Sequence, residues 1–140
     1  MKHLKSFEDY LNEGVGSKRL TKKLLEHLLD RPDWIEDKVL VITPPGAGLI
    51  YTIQSYAGED VTYIDCSSLN INDEINHNRK SIIIMDEIDR VEYSALQHIL
   101  DFIEKHPNPN IMFITREPAK VPHEIQELCT TTFQWAGGRN

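Results

Sequence analysis

Short apolar runs alternate with amphipathic or polar segments from residue 31 onward, the pattern of strands and helices succeeding each other in a parallel α/β sheet. KVLVIT (38–43), VTYIDCS (61–67), SIIIMDE (81–87), NIMFITR (110–116) and TTFQW (131–135) are the expected strands. The third is the most apolar, and an apolar run without alternation belongs to a strand covered on both faces. Between the strands, LIYTIQSYA (49–57) reads as a short helix ended by Gly58. YSALQHILDFIEKH (93–106) reads as a longer one, with Leu96, Ile99, Leu100 and Ile103 on one face and prolines at 107 and 109 to stop it. VPHEIQELC (121–129) is a short helical turn.

Ahead of this pattern, residues 1–30 read as helices. Ser6 is placed to cap SFEDYL, two glycines between Asn12 and Ser17 break the chain, and Leu20, Leu24 and Leu28 form an i, i+4, i+8 stripe in RLTKKLLEHLLD. Residues 1–30 are therefore expected to be an N-terminal helical extension, and 31–140 an α/β core, within one domain overall. Lys18, Arg19, Lys22 and Lys23 fall at the start of the second helix, where they either face solvent or meet a phosphate backbone.

Composition narrows the class without choosing a function. A chain of 140 residues, 40% hydrophobic and 26% charged, is large enough to bury a core without disulfides or metals. Its formal net charge of −7 argues against a uniformly basic nucleic-acid-binding surface but leaves room for a local patch. No apolar run reaches membrane-spanning length and the first residues lack the apolar centre of a signal peptide, so the expected location is the cytoplasm, with no membrane partner. Cys66 and Cys129 match no zinc or redox spacing and read as two buried thiols. The six histidines are dispersed, and no nucleophile motif is present.

The chemistry gathers at the third strand. Asp86, Glu87 and Asp89 follow its apolar residues, and ligands of open α/β sheets bind at the carboxyl ends of strands. Adjacent carboxylates there suit a hydrated magnesium ion and a polarised water; alternatively they open a solvent-exposed loop ahead of a helix N-terminus.

IIIMDEIDR resembles the Walker B strand of the AAA+ branch of P-loop ATPases. The run VEYSALQHILDFIEKHPNPNIMFITREPAKVPHEIQELCTTTFQW is similar to the helix, sensor-1 strand and closing segment of clamp-loader ATPases. The resemblance covers residues 38–135. It implies a three-layer α/β/α sandwich with a mainly parallel five-stranded sheet, in which the expected strands stand in the order 5-1-4-3-2. It also implies that Asp86 supports magnesium, Glu87 activates the attacking water and Thr115 reads the γ-phosphate.

TPPGAGLI (43–50) matches the phosphate-loop position G-x-x-x-x-G-K-S/T, so Pro45, Gly46, Ala47, Gly48, Leu49 and Ile50 are the candidate cofactor-binding residues. The departures there remove function. Leu49 replaces the lysine that reaches the β and γ oxygens, Ile50 replaces the magnesium-binding hydroxyl, and Thr43 the first glycine. Thr52 and Ser55 are out of register for a replacement hydroxyl, while Lys80 and Lys120 are the candidate replacement cations. Leu128 stands where clamp-loader subunits carry an arginine that reaches a neighbour's nucleotide; Arg116 is the nearest substitute. No helical lid follows the core in these 140 residues, so a minimal core is expected.

Three functions remain open. The leading expectation is a non-catalytic pseudo-ATPase that assembles with other protein subunits. The second is a weak ATP binder or slow ATPase with a substituted phosphate site, ATP and magnesium being weak or absent cofactors in either case. The third is a stand-alone α/β adaptor sharing only the fold.

Overall fold

The computed structural model describes residues 17–30, 38–68, 82–106, 109–135 and 137. Six strands form one sheet: β1 (Ser17–Leu20), β2 (Lys38–Ile42), β3 (Thr62–Asp65), β4 (Ile82–Asp86), β5 (Asn110–Thr115) and β6 (Thr131–Trp135). Among the described residues four α-helices accompany them, α1 (Lys22–Asp30), α2 (Leu49–Ala57), α3 (Tyr93–Lys105) and α4 (His123–Leu128). The sheet order is β1-β6-β2-β5-β4-β3, and every neighbouring pair is parallel.

Successive side chains of a strand point to opposite faces, and the core divides accordingly. Leu40 of β2, Ile83 and Met85 of β4, and Ile111 and Phe113 of β5 pack with Leu96, Ile99 and Ile103 of α3 and Ile125 of α4. Val39 and Val41, Ile82 and Ile84, and Met112 and Ile114 take the other face, with Leu25 and Leu29 of α1 and Leu49 and Ile53 of α2. All residues of β2 and β5 are buried, which is why these strands read as unbroken apolar runs rather than as alternation.

Two expectations are corrected. The sheet has six strands instead of five, and its order differs by the strand that stands outside β6 at the edge. That strand is SKRL, within the segment assigned to the helical extension; Ser17–Leu20 runs parallel to β6, with Leu20 opposite Trp135. The helix starts only at Lys22, where the Thr21 hydroxyl accepts the Leu24 N–H at 3.1 Å and so caps the first turn. Leu20 is fully buried, but as a strand residue in the cluster of α1 and α2. Its spacing to Leu24 and Leu28 imitated a helical stripe. The α/β core therefore includes residues from the expected extension, while the Ser6-capped helix lies outside the described residues.

Helix α2 ends at Gly58, whose positive φ of 56° reverses the chain. Among the described residues, no helix is long and apolar enough to cross a membrane.

Candidate functional site

In an all-parallel sheet the carboxyl ends of the strands share one edge, and the loops that leave it carry the candidate residues. The segment 43–48 leaves β2 there, Glu87 follows β4, and Thr115 closes β5. Ile42 pairs with Thr115 and Met85 with Phe113. With β5 between β2 and β4, the β2 loop and the carboxylates of β4 stand two strand spacings apart, about 10 Å. The fold thus brings Gly46, Gly48, Thr115, Asp86 and Glu87 to one edge.

Local rules explain the shape of the β2 loop without any ligand. Pro45 and Gly46 occupy the middle of a turn in which the Ala47 N–H donates to the Pro44 carbonyl at 3.3 Å, and Gly46 takes φ 73°. Proline followed by a glycine at positive φ is the type II arrangement. Gly48 then adopts the left-handed conformation, φ 77° and ψ 20°, as the residue that caps α2. A Cβ at Gly46 or Gly48 would meet no atom within 4 Å, so backbone conformation and not space selects glycine at both. The loop is tied to the sheet by the Trp135 indole, which donates to the Ala47 carbonyl at 3.0 Å, and by the Thr43 N–H, which donates to the Thr115 carbonyl at 2.9 Å.

The next residue decides what the loop can hold. Leu49, matched from sequence to the phosphate-loop lysine, is only 3% exposed and packs into the cluster between the sheet, α1 and α2. Ile50 is half-buried against the same cluster. Thr52 offers no replacement, because its hydroxyl donates to the Gly48 carbonyl at 2.8 Å, back along its own helix. Lys120 is exposed and pairs with Glu117 at 3.5 Å, and Lys80 lies outside the described residues. A magnesium nucleotide takes a cation and a hydroxyl from such a loop, and the side chains at 49 and 50 supply neither.

At the end of β4, Asp86 accepts the Glu87 N–H at 2.9 Å. Burial pushes its carboxyl above the ordinary range, opposed by the Glu87 N–H and by Arg116 and reinforced by Glu87 and Asp65. A raised acid pKa means that the folded state holds the proton more tightly than the unfolded one. The stability it contributes is therefore complete below the ordinary value of 3.8 and is lost as pH rises through the folded value. Asp86→Asn keeps an acceptor for the Glu87 N–H and removes the buried charge. Denaturant unfolding should show the variant more stable than the parent at pH 7, with the difference closing below pH ~4.

Glu87 has φ 59° and ψ 42°, the left-handed region, and is the one non-glycine residue with positive φ among those described. That conformation costs a side-chain-bearing residue about 1–2 kcal/mol. Two arginines hold its carboxylate: Arg90 at 3.5 Å and Arg116 at 3.9 Å. Arg116, considered from sequence as a substitute for a missing arginine, thus reaches the glutamate of its own chain. Thr115 is fully buried, and its hydroxyl is used twice: it donates to Asp89 at 2.8 Å and accepts the Glu117 N–H at 3.0 Å. Leu128 lies partly buried against the α3 face of the core.

Pairings missed by sequence reasoning are Asp89 with Thr115, Arg90 and Arg116 with Glu87, and Trp135 with Ala47. Only Arg116 carried a signal, its place directly after Thr115. Among the described residues, no three His, Cys, Asp or Glu side chains gather as a metal site. Burial pushes the Cys129 thiol up to about 12, against the lowering effect of Lys38, the opposite of the lowered pKa that a reactive thiolate has.

No protein-family model matches the chain, and no curated protein does. Among solved structures it is similar to the AAA domain of FIGL-1 in complex with ADP, with a TM-score of 0.56 at 17% identity over 95% of this chain. The chain spans 63% of the length of that domain. The likeness is one of fold: this chain has an AAA-like α/β fold.

Proposed function

We propose that this chain is a non-hydrolysing AAA+-like domain, a pseudo-ATPase that serves as an assembly subunit among other proteins, as its clamp-loader-like run from Ile82 to Trp135 suggests. The observation that carries the reading is the burial of Leu49 in the core between the sheet, α1 and α2. A degenerate Walker A loop keeps its shape through Pro45, Gly46 and Gly48, while its lysine position serves packing. The engagement of Thr115 with Asp89, and of Glu87 with two arginines, supports the same reading: the residues that would sense phosphate and activate water are committed inside the chain. On this view the edge is kept for its architecture, and the physiological ligand is protein.

One observation favours a second reading, a weak nucleotide binder. Gly48 in the left-handed conformation starts α2 at the place where backbone N–H groups and the helix dipole attract anions. The FIGL-1 domain was solved with ADP, and a nucleoside diphosphate is the ligand this loop would take, held by backbone alone. A stand-alone adaptor that shares only the fold is the third reading, and it predicts no effect of the carboxylates on any binding. Titration calorimetry with ATP and ADP in magnesium separates the first two. The pseudo-ATPase reading predicts no saturable heat, and the second predicts saturation.

A further inference from the structure

The described part of the chain holds nine lysines and arginines, and they fall into two groups. Arg90 and Arg116 pair with Glu87, Lys105 with Asp101 and Lys120 with Glu117, while Lys38 is buried and donates to the Pro109 carbonyl. Lys18, Arg19, Lys22 and Lys23 are exposed, and none of them has an ion pair among the described residues. Every described cation without an ion pair or hydrogen bond among the described residues thus lies within six consecutive positions, on a chain whose formal net charge is −7. Glu26, one turn beyond Lys22 and Lys23, joins none of them, and Asp30 accepts a hydrogen bond from Tyr56 at 2.6 Å.

The fold makes this sequence cluster a surface. Lys18 and Arg19 lie on β1, the outermost strand, which pairs only with β6. Thr21 turns the chain and caps α1, so Lys22 and Lys23 open the helix beside the carboxyl end of that strand. Cations on an edge strand deter strand pairing between chains, but that duty does not extend to the two lysines on the helix. Protein interfaces are depleted in lysine and enriched in aromatic residues at their centres, and no described side chain of β1 or α1 is an exposed aromatic or aliphatic one; the exposed Tyr51 and Tyr56 stand on α2. A membrane surface would call for the same missing apolar anchors.

We infer that this edge, Lys18 and Arg19 on β1 with Lys22 and Lys23 on α1, binds the phosphate backbone of nucleic acid without reading its sequence. The inference is independent of how the β2 loop is used. Contacts of this kind are electrostatic and release counterions, so they carry their own signature. Four neutralised phosphates give a slope of about −3.6 in log affinity against log salt on duplex DNA, roughly a hundredfold loss between about 50 and 200 mM.

The test is fluorescence anisotropy with a labelled duplex of about 20 base pairs and arbitrary sequence, at several salt concentrations. The parent should bind in the micromolar range at low salt with that slope and with equal affinity for a second, unrelated sequence. The quadruple variant Lys18→Glu, Arg19→Glu, Lys22→Glu, Lys23→Glu should lose at least about tenfold in affinity. Because all four side chains are exposed, its thermal midpoint is expected to stay within a few degrees of the parent's, and circular dichroism checks this. The paired variant Arg90→Glu, Lys105→Glu removes as much positive charge per site elsewhere and should bind with less than half of that loss. Absent binding at low salt, or equal losses in both variants, overturns the inference. So does binding to anionic vesicles of phosphatidylserine and phosphatidylcholine that the duplex does not compete away.

Discussion

Replacing Leu49 by lysine should destabilise the protein and should not restore a nucleotide site. The leucine is buried with Ile53, Leu25 and Val41, so its removal forfeits packing worth about 2–5 kcal/mol, and the ammonium group must either be buried or pull its stem out toward the loop. The expected loss is about 3–5 kcal/mol, a fall of roughly 10–17 °C in thermal midpoint for a chain of this size. Leu49→Met, which keeps volume and polarity, should cost under about 1.5 kcal/mol. Calorimetric melting of the two variants checks the claim. A Leu49→Lys protein that melts with the parent and gains affinity for ATP would mean that position 49 faces the loop, as a lysine would, and the packing account would fail.

Leu20→Asp should be nearly as damaging, about 3–5 kcal/mol, because it puts a carboxylate where a fully buried leucine stands. The effect should spread beyond the edge strand. Leu20 pairs with Trp135, and the Trp135 indole holds the Ala47 carbonyl of the β2 loop. Tryptophan fluorescence should therefore shift on the same unfolding transition as the far-ultraviolet signal, only earlier. Lys18→Asp, on the same strand but exposed, should change stability by no more than about 0.5 kcal/mol. Were residues 17–20 part of a helical appendage outside the core, Leu20→Asp would leave the main transition untouched.

The helices and strands from Lys38 to Trp135 were legible because their positions are set by burial, and burial leaves its mark as apolar runs and stripes. β2, β4 and β5 are covered on both faces, and their sequences show it. β1 left no such mark. Among its described side chains only Leu20 is buried, and what makes it a strand is its pairing with β6 across more than a hundred residues of chain. Leu20 lies at helical spacing from Leu24 and Leu28, whereas the buried residues of α1 are Leu25 and Leu29. A local pattern could not separate the strand from the helix.

The site was legible in position and not in use. The expected order of the strands already put the β2 loop, Asp86, Glu87 and Thr115 on one edge. What each side chain does there depends on where it points. Leu49 turns into the core, the Thr115 hydroxyl goes to Asp89 and the Glu87 carboxylate to Arg90 and Arg116. These are contacts between residues distant in sequence or placed by one left-handed residue, and no motif encodes them.

On the reading proposed above, the loop from Thr43 to Gly48 has the shape of a phosphate site without its chemistry. Equilibrium titration calorimetry of the purified chain with ATP and with ADP, with and without magnesium, tests it most directly. The account predicts no saturable heat up to about 1 mM nucleotide, a binding free energy weaker than about −4 kcal/mol. Saturable, magnesium-dependent binding with a dissociation constant below about 100 μM, near −5.5 kcal/mol, would contradict it.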